Sequence, residues 1–256
     1  MENVLCLYKP VGLSPLGCIR LFQETNPSYQ ELTLSYAGRL DPMAEGLLLV
    51  LVGNENKQRA KYLSLKKTYQ FRVVFGIRTD SYDKMGMPKL RYGKTLDKER
   101  KDMLKKYIPT LLGESIQEYP PYSSKTVNGK PLFYWAREGK ISSIVRPSKK
   151  VTISSLTGHG LGTIPSQKLL SQVVSSVQSV DGLFRQQEII GAWNRLLQNS
   201  KATFSVYTFT LTCSSGTYVR SLVNQFGEYL KTGAFALSIK RTRIGDFTLV
   251  NATHVG

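Results

Sequence analysis

The stretch Lys67 to Phe75 constrains the chain most. Tyr69, Phe71, Val73 and Phe75 alternate there with Gln70 and Arg72, the period-two signature of a strand. Val4 to Tyr8, Val151 to Leu156, Phe204 to Thr212 and Phe235 to Ile239 read as further strands. Between Gly46 and Gly53 the apolar run is unbroken, so periodicity leaves a buried strand and a buried helix equally open. Helical spacing recurs five times. Ser14 and Pro15 precede a helix carrying Ile19, Leu21 and Phe22, and Thr95 is placed to cap one through Met103, Leu104, Tyr107, Ile108, Leu111 and Leu112. Leu170 to Val177 and Ile189 to Leu197 fit an amphipathic pair, and the last helix runs through Leu222, Val223, Phe226 and Leu230 to Gly233. Gly76 to Gly86 and the glycine-rich Gly158 to Gly162 read as loops, the second of them mobile. Strands and helices interleave with no βα repeat of constant length, which predicts an α+β class with a mixed, largely antiparallel sheet flanked by helices.

The inventory for chemistry is short. Two histidines, His159 and His254, lack partners at metal-ligand spacing, and the three cysteines, Cys6, Cys18 and Cys213, form no CxxC. No GxxxxGK[ST] is present, so neither a metal centre nor the usual phosphate cradle of a nucleotide hydrolase is expected. Carboxylate, tyrosine, lysine and arginine remain. Against 18 acidic residues stand 35 basic ones, a formal charge of +17 on a chain with 41% hydrophobic residues. That balance predicts a folded protein with a polyanionic partner. The longest apolar run is too short to span a bilayer and the first ten residues lack the pattern of a signal peptide, so a soluble protein of a reducing, cytoplasmic compartment is expected.

One segment carries more than composition does. Gly38-Arg39-Leu40-Asp41-Pro42-Met43-Ala44-Glu45-Gly46-Leu47-Leu48 resembles the active-site motif of pseudouridine synthases, specifically the TruB type that modifies the T loop of tRNA. Further segments agree in the family's order. Lys9-Pro10-Val11-Gly12-Leu13-Ser14 resembles its KPxGxS turn, Lys67-Thr68-Tyr69 its KxY strand, and Gly76 through Thr79, Asp80, Asp83 and Gly86 its GxxTDxxDxxG loop. Pro120 through Ser124 with Gly129 and Ala136-Arg137-Glu138-Gly139 resembles its PxxSA and ARxG segments. Gly216-Thr217-Tyr218-Val219-Arg220 resembles its GTYIR helix, and Lys240-Arg241 the end of its LRR strand.

The resemblance implies a pseudouridine-synthase-like fold and the isomerisation of uridine to pseudouridine, most naturally at position 55 of tRNA. It implies Asp41 as nucleophile, Arg220 as the cation that keeps this carboxylate ionised in a dry pocket, and Tyr69 stacked on the target uracil and assisting proton removal. Tyr218 and Ile239 would shape the pocket wall. Lys9, Pro10, Tyr36, Gly38, Arg39, Lys240 and Arg241 are the expected substrate contacts. The reaction needs no cofactor, because a glycosidic bond is moved without net redox change. Base flipping is required of an enzyme whose target is stacked in folded RNA. Lys66, Lys67, Arg78, Lys125, Lys130, Arg146, Lys149, Lys150 and Arg243 add candidate phosphate contacts.

Without that resemblance, Asp41 before Pro42 is an ordinary turn residue, and Tyr69 and Tyr218 are half-buried strand residues. The chain also departs from the family pattern. Tyr36-Ala37-Gly38 stands where TruB enzymes usually carry His-x-Gly, and Gly-Arg-Leu-Asp is closer to the RsuA and RluA types. A single catalytic domain over 1–256 is expected, with a helical insertion at about 158–200 and without the C-terminal PUA domain of many TruB proteins. A monomer acting on RNA, most naturally tRNA, and independent of membranes is the expected state. Two other readings stay open: a pseudouridine synthase for another tRNA or ribosomal RNA site, and an RNA chaperone or binding module.

Overall fold

In the computed structural model, which describes residues 2–91 and 95–255, the N-terminal third is built on three strands and their covering helices. Met1 and Gly256, the two ends of the sequence, lie outside the described residues. β1 (Val4–Lys9) leads into α1 (Pro15–Thr25), where Ser14 Oγ accepts the Gly17 N–H at 3.0 Å and Pro15 occupies the first turn. β2 (Leu34–Tyr36) and β3 (Glu45–Val52) follow, then α2 (Arg59–Ser64). The unbroken apolar run is a strand. Leu47 to Leu51 are fully buried because β3 pairs with β1 and β2 and has side chains packed on both faces, which removes the need for alternation.

β4 (Lys67–Phe75) takes the bounds that its alternation predicts. The loop expected after it is partly strand, since β5 (Ile77–Thr79) pairs with β6 (Pro88–Leu90). α3 (Lys98–Thr110) is capped by Asp97 and not by Thr95: the Asp97 carboxylate accepts the Arg100 N–H at 2.8 Å, a stronger cap for a helix N-terminus than a hydroxyl. β7 (Gly113–Glu118), the hairpin of β8 (Thr126–Val127) and β9 (Lys130–Pro131), and α4 (Leu132–Arg137) complete the middle of the chain.

β10 (Ser148–Pro165) runs far past Leu156 and absorbs the segment expected to be a mobile glycine loop. Gly158, Gly160 and Gly162 lie opposite Phe209, Thr208 and Val206, with a register shift between Gly158 and Gly160. Glycine is required at 158 because a Cβ there would stand 2.5 Å from the Tyr207 ring. After α5 (Ser166–Gln178) and α6 (Gln186–Leu197) the chain returns as β11 (Thr203–Cys213), then α7 (Val219–Tyr229), β12 (Ala234–Ile244), and the short β13 (Phe247–Thr248) and β14 (Thr253–His254).

One ten-stranded sheet results, in the order β14-β1-β3-β12-β4-β11-β10-β7, with β13 beside β12 and β2 beside β3. All its pairings are antiparallel except β1 with β14 and β3 with β12, so the class is the α+β one expected. The two faces of the central strands have different covers. Phe71, Val73, Phe75 and Phe209 pack under Leu222, Val223 and Phe226 of α7, while Val74, Phe204, Val206 and Leu237 pack under Leu169, Val173 and Val177 of α5 and Trp193 of α6. Residues 158–165 of the expected insertion are therefore strand, and the two helices close the sheet's second face. No helix among the described residues is long and apolar enough to cross a membrane.

Candidate active site

A cavity of about 750 Å³ opens on the α7 face of the sheet, where the loop before β3, the strand β4, the loop before β6 and the start of α7 converge. Asp41 sits on the first of these, in the connection Ala37 to Ala44. That connection is held from beneath by two buried cations. Arg241 donates through Nε to the Leu47 carbonyl at 2.8 Å, through Nη1 to that of Arg39 at 3.2 Å and through Nη2 to that of Gly38 at 3.1 Å. Lys9 Nζ donates to the carbonyls of Pro10 and Leu13, both at 2.7 Å, and to that of Pro42 at 3.4 Å. Burial pulls the Lys9 ammonium down to a pKa of about 8, with Cys18 and Asp41 opposing. Gly46 (φ +108°) lets β3 lie against β12, since a Cβ there would stand 2.3 Å from the Arg241 carbonyl oxygen.

Arg220 enters from the first turn of α7, whose apolar stripe of Leu222, Val223 and Phe226 fixes the helix on the sheet. The backbone just before it is clamped at Tyr218, whose N–H donates to Gln117 Oε1 at 2.7 Å while Gln117 Nε2 donates to the Tyr218 carbonyl at 3.2 Å. The guanidinium is 3% exposed, and each of its three nitrogens has a partner. Nε donates to Asp41 Oδ2 at 2.8 Å and lies 3.4 Å from Asp83 Oδ2, Nη1 donates to the Ser81 carbonyl at 2.8 Å, and Nη2 to that of Tyr122 at 3.1 Å. Burial works against its charge, and the Asp41 and Asp83 carboxylates outweigh that, so its pKa is raised.

The two carboxylates on this one cation are not equivalent. The Asp41 side chain is 33% exposed toward the cavity, whereas that of Asp83 is 5% exposed and also accepts from Ser81 Oγ at 2.6 Å and the Met85 N–H at 2.8 Å. Burial pushes the Asp83 carboxyl above the usual range, with Arg220 the chief opposing influence. Asp41 is thus the carboxylate free to meet a ligand, and Asp83 the one that helps hold Arg220.

Tyr69, Tyr218 and Ile239 line the same cavity, with Tyr36 and Arg39 at its side. Burial raises the Tyr69 phenol, with Arg241 opposing, and raises Tyr218 to about 12 with Asp41 adding to it, so both rings stay neutral and can stack or donate. Tyr36 accepts from Arg39 Nη2 at 3.3 Å and lies 5.7 Å under the Arg59 guanidinium.

Other expected contacts are placed differently. Lys9 is fully buried and does not line the cavity, whereas Arg241, 1% exposed and donating to three backbone carbonyls, still borders it. Lys67, also a candidate phosphate contact, is 4% exposed and donates to the Leu63 and Leu65 carbonyls at 2.6 and 2.7 Å. In each case the sequence shows a cation and not the unpaired carbonyls of a tight turn that it satisfies. Pro10 and Lys240 do not line the cavity; Lys240 Nζ lies 5.3 Å over the Tyr8 ring. Of the remaining candidates, Arg146 pairs with Glu118, Lys150 with Glu114 and Arg243 with Asp246.

Four participants were given no role in the site by sequence reasoning: Asp83, Gln117, Tyr122 and Arg185, the last noted only as a basic residue of the helix pair. Asp83 lies in the quoted GxxTDxxDxxG segment, and its second carboxylate was the available signal. Arg185, in a left-handed conformation at the start of α6, donates to Tyr122 Oη at 2.8 Å and to Asp80 Oδ2 at 3.3 Å, and Tyr122 Oη donates to Asp80 Oδ2 at 2.8 Å. The helix pair thereby reaches the cavity wall and braces the residue whose carbonyl holds Arg220. Nothing local in the sequence announces that contact.

Residues 28–176 match the family described as TruB family pseudouridylate synthase (N terminal domain). A tRNA pseudouridine synthase B of Burkholderia mallei (strain NCTC 10247) is 29% identical over 252 residues, covering 98% of this chain and 67% of that protein. The protein of the same name from Lactiplantibacillus plantarum is 28% identical over 249 residues, covering 97% and 68%. Among solved structures, a chain of a Cbf5-Nop10-Gar1 complex superposes with a TM-score of 0.59 at 16% identity, covering 98% of this chain and 52% of that one. A chain of an H/ACA RNP bound to a substrate RNA containing 2′-deoxyuridine gives 0.57 at 15% identity, covering 98% and 50%. These structural likenesses show a shared fold. The chain spans about two thirds of the length of the curated relatives it matches and about half that of the structural ones.

Proposed function

The chain belongs to the TruB family of pseudouridylate synthases, and on that premise we propose that it isomerises uridine to pseudouridine in tRNA, at the T-loop uridine. The observation that carries this reading is the cavity-facing Asp41 carboxylate on the buried Arg220, with Tyr69 and Tyr218 beside it. The target base is flipped out of its stack into the cavity, where aromatic contact offsets the cost of unstacking. Asp41 attacks as nucleophile, the C1′–N1 bond breaks, and the uracil turns. C5 then bonds to C1′ as the Asp41–C1′ bond breaks and the carboxylate is released, C5 loses its proton and N1 gains one. Tyr69 stacks on the uracil and assists removal of the C5 proton. The exposed lysines and arginines of a chain with net charge +17 supply backbone contacts.

We read residues 1–256 as one catalytic domain in which the α5–α6 pair covers the sheet. We take it to act on RNA as a monomer. The free cysteines Cys6, Cys18 and Cys213 suit a reducing cytoplasm. Incubating the protein with unmodified tRNA and mapping pseudouridine along the product tests the function. Pseudouridine in the T loop is expected; formation only at another tRNA site or in ribosomal RNA would move the substrate, and formation nowhere would leave an RNA-binding protein.

Two variants follow from the geometry. Tyr69→Phe keeps the ring and loses the hydroxyl, so the single-turnover rate is expected to fall about ten-fold or more while RNA affinity stays within two-fold. A rate equal to wild type removes Tyr69 from proton transfer. Arg185→Met removes the brace on Tyr122 and Asp80. A charge-assisted hydrogen bond of roughly 1.5–3 kcal/mol corresponds to a loss in kcat of about ten-fold or more, with KM little changed and partial recovery in Arg185→Lys. Equal falls in thermal stability for both variants without that split in kcat would reduce Arg185 to a structural contact.

A further inference from the structure

A second cavity, of about 380 Å³, lies on the face of the sheet opposite Tyr69. Along β4, Phe71 and Val73 face the active cavity's side, and Val74 faces α5 and α6. Arg72, between Phe71 and Val73, shares the face of Val74 by the pleat of the strand. Arg72, Lys84 and Ser238 line one side of this cavity, and Ser171, Ser175 and Ser176 of α5 line the other. No carboxylate among the described residues lines it.

This donor set has two cations, four hydroxyls and the Gln172 amide. Lys84 is 5% exposed, and its Nζ donates to Ser176 Oγ at 2.7 Å. Neither Lys84 nor Arg72 enters an ion pair among the described residues. A buried ammonium with a single hydroxyl partner is costly, and Asp83 and Glu45 favour its charge only from beyond contact. A tetrahedral oxyanion matches this set: it accepts from an ammonium, from a guanidinium and from hydroxyls together. A carboxylate side chain is the usual solution, and here none is supplied.

We propose that this cavity binds a phosphate group, held by Lys84, Arg72 and the serine face of α5. Its position excludes the phosphate of the flipped nucleotide, which belongs to the Asp41 face. The occupant is either a backbone phosphate of RNA that wraps past the helix pair or a free phosphate-bearing small anion. Lys84 follows Asp83 directly, so the site stands back to back with the Arg220 pair.

Two measurements on the full chain, with Lys84→Met and Arg72→Gln beside wild type, decide it. In the first, inorganic phosphate replaces chloride at constant ionic strength while thermal unfolding is followed. A saturable rise in the wild-type midpoint that both variants lose assigns the site to a free anion. In the second, tRNA affinity is measured across a salt series. A slope of log K against log salt that falls by about one in each variant assigns it to the RNA backbone. A wild-type midpoint indifferent to phosphate, together with unchanged slopes, overturns the proposal. Arg72 is half-exposed, so its variant keeps the test open should Lys84→Met fold poorly.

Discussion

Asp41→Asn is expected to lower pseudouridine formation by roughly four orders of magnitude or more while leaving tRNA affinity within a few-fold. The substitution keeps side-chain volume and leaves an amide oxygen to accept from Arg220 Nε, 2.8 Å from the carboxylate oxygen it replaces. What it removes is the more open of the two carboxylates on Arg220, since the Asp83 side chain is 5% exposed against 33% for Asp41. Binding survives because the phosphate contacts lie on other residues. Release of tritium from C5-labelled uridine in tRNA reads the chemistry directly, because C5 must lose its hydrogen to bond C1′. Asp83→Asn is the informative partner: it should lower thermal stability and spare much of the rate. Turnover by Asp41→Asn near the wild-type level, or a loss confined to Asp83→Asn, would assign the nucleophile wrongly.

Arg220→Met should be the most damaging change to stability at the site. Methionine fills the length of the arginine stem, yet Asp83 is left buried beside Asp41 with no cation, and the carbonyls of Ser81 and Tyr122 lose their donors. Breaking a buried pair in this way costs about 3–5 kcal/mol, or a fall in Tm on the order of 10 °C for a chain of this size. Arg220→Lys should recover little, because a single ammonium cannot reach acceptors set around a planar fork. The pH dependence has a definite sign. Burial already holds the Asp83 carboxyl above its ordinary range and Arg220 is the main influence pulling it back, so the variant's folded-state value rises further. A group whose folded pKa exceeds its unfolded one binds more protons when folded, and stability is lost as pH climbs from the ordinary carboxylate range toward the raised value. The deficit of Arg220→Met should therefore be smallest in acid and grow toward neutrality. A deficit constant with pH would show that packing, not charge, is what Arg220 supplies.

Much of this architecture is written locally. Alternation in Lys67 to Phe75 set β4 at both ends, and Ser14 with Pro15 set the start of α1, because the interactions that decide a strand's exposed face or a helix's first turn involve near neighbours. Motif order brought Asp41, Tyr69, Tyr218 and Arg220 forward as a group. The near misses have the same origin. The cap expected of Thr95 is made two residues later by Asp97, whose carboxylate accepts the Arg100 N–H, and Gly158 to Gly162 looked like a loop because glycine's lack of a side chain is also what a crowded strand requires beside Tyr207.

Tertiary structure alone decided what each cation does. Arg241 and Lys9 carry the same formal charge in the sequence as any surface lysine, but folding buries them under the Asp41 loop, Arg241 reaching a carbonyl 203 residues away. Arg220 meets Asp41 across 179 residues and gains a second carboxylate from Asp83, and Arg185 crosses 105 residues to Asp80. The cavity that leaves Arg72 and Lys84 without a carboxylate arises only when α5 closes on the sheet. Periodicity and capping record the energies of neighbours in the chain. The charge state, exposure and partners of a buried ion depend on solvent exclusion and on groups brought together from distant segments, and those exist only once the sheet and its two covers have closed.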